Sequence, residues 1–340
     1  MRVADFDYQL PSALVAQEAI EPRHDARLLM AATLEDRLIA DLPELLRPND
    51  LVVVNRTRVR AARLVGERAD SGGAVEMLLL RRLDGARWEA LLRPARRLRP
   101  GLRLRFDRID GEMLTAPVEG VATVSLVGSG GDVDDLLPEV GSVPLPPYFH
   151  GTLDHPDRYQ TIFAKEVGSA AAPTAGLHFT RPVLDALASA GISMAEVVLD
   201  VGLDTFRPMT VDAVADHRIH RERYEIPGST AAAIAAARES GNRVVAVGTT
   251  VVRTLESAAV GDRVRPGEAW SDLFIVPGHH FAIVDAMLTN FHAPRTTLIA
   301  LVAAALGPRW RQVYRTAVAR RYRFLSFGDA MLIDPVGPPR

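Results

Sequence analysis

The run RVVAVGTT at residues 243–250 passes from β-branched residues to a glycine and two threonines, and the chain then reads as a helix from about 250 to 258. Strand, glycine, hydroxyl residues and helix, in that order, make a βα unit. The helix N-terminus of such a unit presents unpaired N–H groups and the positive end of its dipole beyond the strand. Thr249 or Thr250 could serve that site or could simply cap the helix. The same alternation extends outward on both sides. A helix is predicted at about 181–190 (RPVLDALASA), stopped by Gly191, followed by a strand at about 194–201. A helix at 230–239 precedes the central run, and strand DLFIV (272–276), helices at 297–306 and 309–321, and a short strand near 330–333 follow it. With the buried strand LVVVN (51–55), the expected fold is α/β, with a mainly parallel sheet flanked by helices.

Between about 61 and 149 the pattern changes to short alternating runs broken by turn residues, such as EMLLLRR, RWEALLR, LRLRF, GEMLTA and VATVSLVG. Spacing near ten residues predicts an inserted all-β, barrel-like domain at 61–149, with residues 1–60 and 150–340 forming a discontinuous α/β catalytic domain.

The 340 residues contain no cysteine, so thiolate nucleophiles, disulfides and cysteine-ligated metals are excluded. The start of the chain carries charges among its first seven residues, and no apolar run reaches about 18 residues free of charge. A cytoplasmic protein with no membrane partner is expected. Net charge is −2, yet Arg81 to Arg105 holds nine arginines against Asp84 and Glu89. Since Lys165 is the only lysine, composition bias accounts for part of that density.

Several polar segments could carry chemistry. PTAGLHFT (173–180) sets Thr174, Gly176 and His178 among small residues before a helix, where backbone can approach a ligand and imidazole can exchange a proton. DHRIHRE (216–222) packs His217, His220 and Glu222 together. A metal site is possible there, but a proton-exchanging substrate contact is favoured and no metal is expected. DAMLTNFHAPRTT (285–297) places Thr289, Asn290 and His292 in a loop between a strand and a buried helix. Aromatic residues in FLSFGDAM (324–331) could stack on a base, although such spacing usually reflects core packing.

These segments, with FDYQLPSALVAQ (6–17), WEALLRPARRL (88–98), RYQTIFA (158–164), GLDTFRP (202–208), VAVGTTVVRTLES (245–257) and YRFLSFGDAMLI (322–333), resemble the S-adenosylmethionine:tRNA ribosyltransferase-isomerase family over essentially the whole chain. The resemblance implies an α/β domain with an inserted barrel. It also implies transfer and isomerisation of the ribosyl moiety of S-adenosylmethionine onto 7-aminomethyl-7-deazaguanine at the tRNA wobble position, giving epoxyqueuosine-tRNA, adenine and methionine.

On that resemblance the expected partners are S-adenosylmethionine, as co-substrate with no other cofactor, and tRNA with a GUN anticodon. A monomer is expected. His178 is the expected general base, with His217, His220 or Glu222 as second proton carrier. Thr174, Gly176, Gly248, Thr249, Thr250, Arg253, Glu256, Asn290 and His292 are the expected S-adenosylmethionine contacts. Asn55, Arg58, Arg93, Arg96, Arg97 and Arg99 are the expected tRNA contacts. The chain departs from the family pattern at Arg56, where aspartate is usual, and at Asp200 and Asp204, where histidine and glycine are usual. Those exchanges leave two alternatives standing, a paralogue acting on another nucleoside or small molecule and a non-catalytic RNA-binding protein.

Overall fold

In the computed structural model, residues 1–151, 155–202, 208–219 and 221–337 are described. Asp204 and His220 lie outside the described residues.

The strand Leu51–Asn55 is buried at every position and sits inside a nine-stranded sheet. Leu51 and Val53 enter one core and Val52 and Val54 the other, so the sheet is covered on both faces, which is why the run is continuously apolar. Its centre is parallel: Ser193–Leu199, Leu51–Asn55, Val244–Val247 and Ala286–Asn290 run in one direction. Antiparallel pairing resumes outside that block, with Glu222–Ile226 and Gly267–Ser271 at one edge and Ala330–Ile333 beside Ala286–Asn290. The expected α/β sheet is thus a mixed one with a parallel core.

Two local readings change. DLFIV (272–276) forms no strand among the described residues, and the edge ladder is made instead by the more polar GEAWS of Gly267–Ser271. Thr289 and Asn290 are the last residues of strand Ala286–Asn290, so only His292 falls in the loop beyond it.

The inserted module is a closed barrel of six strands, Arg63–Arg68, Ala74–Asp84, Arg87–Arg93, Arg103–Phe106, Ile109–Met113 and Val121–Gly128. Trp88, Met77, Leu104, Phe106 and Ile109 fill it. Helix Val133–Val140 adds Leu136 and Leu137 to the same core; Asp132 caps it by accepting from the Asp134 N–H. The apolar face of this acidic stretch thus completes the barrel core.

Candidate functional site

The parallel strands Ser193–Leu199, Val244–Val247 and Ala286–Asn290 end side by side, and the residues just past them line one cleft of about 580 Å³. This is where open α/β sheets bind ligands, because helix N-termini and loop N–H groups converge there. Helix Thr249–Ser257 begins at the cleft. Gly248 precedes it at φ +92°, a conformation that L side chains rarely adopt, and the chain can therefore turn from strand to helix in one residue. The Thr250 hydroxyl is buried there without a hydrogen-bond partner among the described residues. A buried hydroxyl with no partner costs about 1–3 kcal/mol, which a polar ligand group beside it would recover.

Opposite this helix the Thr174 hydroxyl donates to Asn290 Oδ1 (2.9 Å), and Asn290 Nδ2 meets His178 Nε2 at 3.2 Å. Thr174 and Asn290 line the cleft, whereas His178 stands behind Asn290. Its ring borders a separate crevice of about 220 Å³ that also contains Arg23 and Arg323. Burial, and then those two guanidiniums, push its pKa down to about 4. His292 lines the cleft itself. Its Nε2 lies 2.9 Å from the Thr289 hydroxyl, and its Nδ1 has no partner among the described residues. Burial lowers its pKa to about 3. Tyr8 donates to the His292 carbonyl (2.5 Å) and the Tyr314 hydroxyl accepts from its N–H (3.1 Å), so this loop is held from both sides.

Both imidazoles are therefore neutral near pH 7, and stability depends on their staying so. Their folded pKa values lie below the unfolded value of about 6.5, so the unfolded chain binds more protons and stability falls as pH drops below 6.5. Each histidine should contribute a slope of about 1.4 kcal/mol per pH unit between pH 6.5 and roughly 4. Urea unfolding at pH 7 and pH 5 checks this: His178→Gln or His292→Gln should each flatten the dependence, and an unchanged slope would show that the ring is not held neutral.

Other expected site residues have partners inside the fold. Glu222 and Arg253 form a buried ion pair, and Glu222 Oε1 also accepts from the Gly202 N–H (2.8 Å). Arg253 Nε donates to the Leu273 carbonyl (3.3 Å). Glu256 accepts from the N–H groups of Ala282, Ile283 and Val284 and so holds that loop rather than facing the cleft. Asn55 bonds both ways to Leu199 and accepts from the Thr57 N–H, joining two strands. Gly176 is buried behind the cleft against Thr161. His217 packs edge-to-face on Phe274.

Arg58 is half-buried beside Asp157. Arg93, Arg96, Arg97 and Arg99 are all exposed on the barrel and have no ion pair among the described residues. Arg56 does not line the cleft and pairs with Glu166 (2.6 Å) and Glu196 (3.6 Å), so the guanidinium in place of an aspartate is neutralised locally. Asp200 accepts from Thr57 and pairs with Arg223.

A second, wider groove of about 2220 Å³ runs between the barrel and the sheet, and Val201 lines both it and the strand-end cleft. Arg60, Arg81, Arg82, Arg221 and Arg223 line it from the two sides. No single segment of sequence signals this groove, because its walls come from many stretches of chain far apart in sequence, from Arg60 to Trp270.

The model of the queuosine biosynthesis protein family matches residues 3–333. The S-adenosylmethionine:tRNA ribosyltransferase-isomerase of Symbiobacterium thermophilum is 50% identical over 340 residues, covering 98% of this chain and 100% of that protein. The protein of the same name from Anaeromyxobacter dehalogenans is 50% identical over 343 residues, covering 98% and 99%. The crystal structure of S-adenosylmethionine tRNA ribosyltransferase from Thermotoga maritima is 36% identical, covers 96% of this chain and 99% of that one, and aligns with a TM-score of 0.53.

Proposed function

Because the chain belongs to the queuosine biosynthesis protein family along nearly its whole length, we propose that its strand-end cleft is where S-adenosylmethionine gives up its ribosyl group to tRNA. The activity is that of an S-adenosylmethionine-dependent tRNA ribosyltransferase-isomerase. The relatives give no support to the paralogue or to the non-catalytic RNA binder. The acceptor in this reading is 7-aminomethyl-7-deazaguanine at the wobble position of tRNAs with a GUN anticodon. Epoxyqueuosine-tRNA, adenine and methionine are the products. S-adenosylmethionine is a substrate and no further cofactor is required. The protein acts as a cytoplasmic monomer, and among the described residues no helix is long and apolar enough to cross a membrane.

The observation that carries this placement is the unpartnered Thr250 hydroxyl at the first turn of a helix facing the cleft. Helix N-termini favour anions, so the methionyl carboxylate belongs against Gly248, Thr249 and Thr250. The sulfonium acidifies the adjacent C5′–H. A base removes that proton, and the electron pair forms C4′=C5′ as the C4′–O4′ bond breaks; the freed O4′ pair forms a C1′ carbonyl and expels adenine. The substrate amine then adds to C4′ and gives up its proton, the C5′ carbanion so regenerated bonds to C1′, and the resulting oxyanion displaces methionine from C5′ as the epoxide closes.

We assign the proton removal to His292, which lines the cleft, and give His178 the task of fixing the Asn290 amide and, through it, the Thr174 hydroxyl. The two histidines thereby exchange the roles that their sequence contexts suggested. Arg253 acts indirectly, by anchoring the helix through Glu222. Adenine release from S-adenosylmethionine, with and without tRNA bearing the modified base, tests the reading. Release only with tRNA is expected; release without it would point to a small-molecule acceptor, and none at all would point to a binding protein.

The exposed arginines 93, 96, 97 and 99 suit phosphate binding. Each arginine–phosphate pairing contributes about 0.7–0.9 to the slope of log affinity against log salt. Replacing all four by Gln should therefore flatten the salt dependence of tRNA binding by about three units. An identical slope would remove this loop from the interface.

A further inference from the structure

The groove between barrel and sheet contains a solvent-facing indole, that of Trp270. Trp270 is 42% exposed, while the two other tryptophans, Trp88 and Trp310, are buried. It sits on the edge strand Gly267–Ser271, opposite Arg223 in the ladder. The Arg81 guanidinium approaches its ring from the barrel side, 5.9 Å from the centroid. Arg81 pairs with Glu89, and Arg223 pairs with Asp200, Glu225 and Glu268, so carboxylates hold both guanidiniums on the groove wall.

An exposed, flat, apolar ring bracketed by guanidiniums is the composition of a platform for a nucleobase: any base has a π-face to stack, and arginine supplies cation–π attraction and phosphate binding. The location is also informative. From Trp270 the ladder runs to Arg223 and on to Asp200, whose N–H bonds the Arg223 carbonyl, and Val201 follows at the rim of the cleft. Two strand spacings separate the indole from that rim, roughly 10 Å. A nucleotide one to a few positions along a single strand from a base lodged in the cleft reaches that far, since stacked bases rise about 3.4 Å each.

We propose that Trp270, flanked by Arg81 and Arg223, is a stacking subsite for an unpaired base of the RNA near the one being modified. This rests on the tRNA reading above. It adds a base contact from the sheet edge to the phosphate binding assigned to the barrel.

The test uses the full-length enzyme and tRNA carrying 7-aminomethyl-7-deazaguanine. Trp270→Ala should raise KM for tRNA by about 5- to 150-fold, the range for loss of one base–aromatic stack, with KM for S-adenosylmethionine and kcat little changed. Trp270→Phe, which keeps a ring, should recover most of the loss. Binding of the tRNA should quench tryptophan emission in the wild type, and Trp270→Phe should abolish that quench. An unchanged KM in Trp270→Ala, or a quench that survives in Trp270→Phe, would overturn the subsite while the ribosyltransferase reading stands. A wild-type enzyme that modifies no tRNA would overturn both.

Discussion

Replacing His292 by Ala is expected to cut kcat by about 10²–10⁴-fold, the usual contribution of a positioned acid or base, with little change in KM for S-adenosylmethionine. The ring lines the cleft at the end of a parallel strand, its Nε2 is fixed by Thr289, and its backbone is clamped by Tyr8 and Tyr314. His292→Gln, which can keep a bond to Thr289, serves as the control for folding and should be equally slow. His178→Ala should show the other pattern, a raised KM for S-adenosylmethionine, because it frees the Asn290 amide that bonds Thr174. If His178→Ala lost kcat and His292→Ala did not, the proton removal would belong to residue 178. With the His292 pKa pushed down to about 3, the base form persists at any pH well above that value. The kcat/KM profile should accordingly show no acid limb near 6.5.

Glu222→Ala is expected to cost about 3–5 kcal/mol of stability, read from urea unfolding. The substitution strands the Arg253 guanidinium, already buried with one nitrogen unpartnered, and also removes the acceptor of the Gly202 N–H. Breaking one half of a buried ion pair is costly, whereas replacing both halves by apolar groups is often tolerated. Glu222→Met combined with Arg253→Met should thus regain much of the loss. A change below about 1 kcal/mol in the single variant would show that the pair is not dry and would make Glu222 a candidate proton carrier again.

Much of the architecture can be read in the sequence where one residue type dominates a run. LVVVN is a strand at the predicted residues because five consecutive buried positions leave no other reading, and TLIALVAAAL is a helix buried on nearly every side. DLFIV misleads because a loop packed on the core has the same composition as a strand. GEAWS escapes notice because an edge strand faces water and needs no apolar run.

The cleft is half legible. The glycine and hydroxyl residues at 248–250 and the polar end of strand Ala286–Asn290 announce it, since polar groups at strand ends have few structural uses. What cannot be read is which polar side chains the fold consumes. Glu222 with Arg253, Glu256 with the N–H groups of residues 282–284, and Asn55 with Leu199 are pairings between segments distant in sequence, and each looks like a ligand-binding group until its partner is placed. Trp270 is the converse case, an aromatic residue that no motif marks and that the fold leaves in the open.

Adenine release from S-adenosylmethionine deuterated at C5′, followed in a single turnover with the modified tRNA, measures the proton-removal step most directly. Release slower than from the unlabelled substrate in the wild type, and nearly abolished in His292→Ala, is the expected result. Equal rates for the two substrates, or undiminished release in the variant, would mean that adenine leaves without an imidazole in this cleft taking the hydrogen.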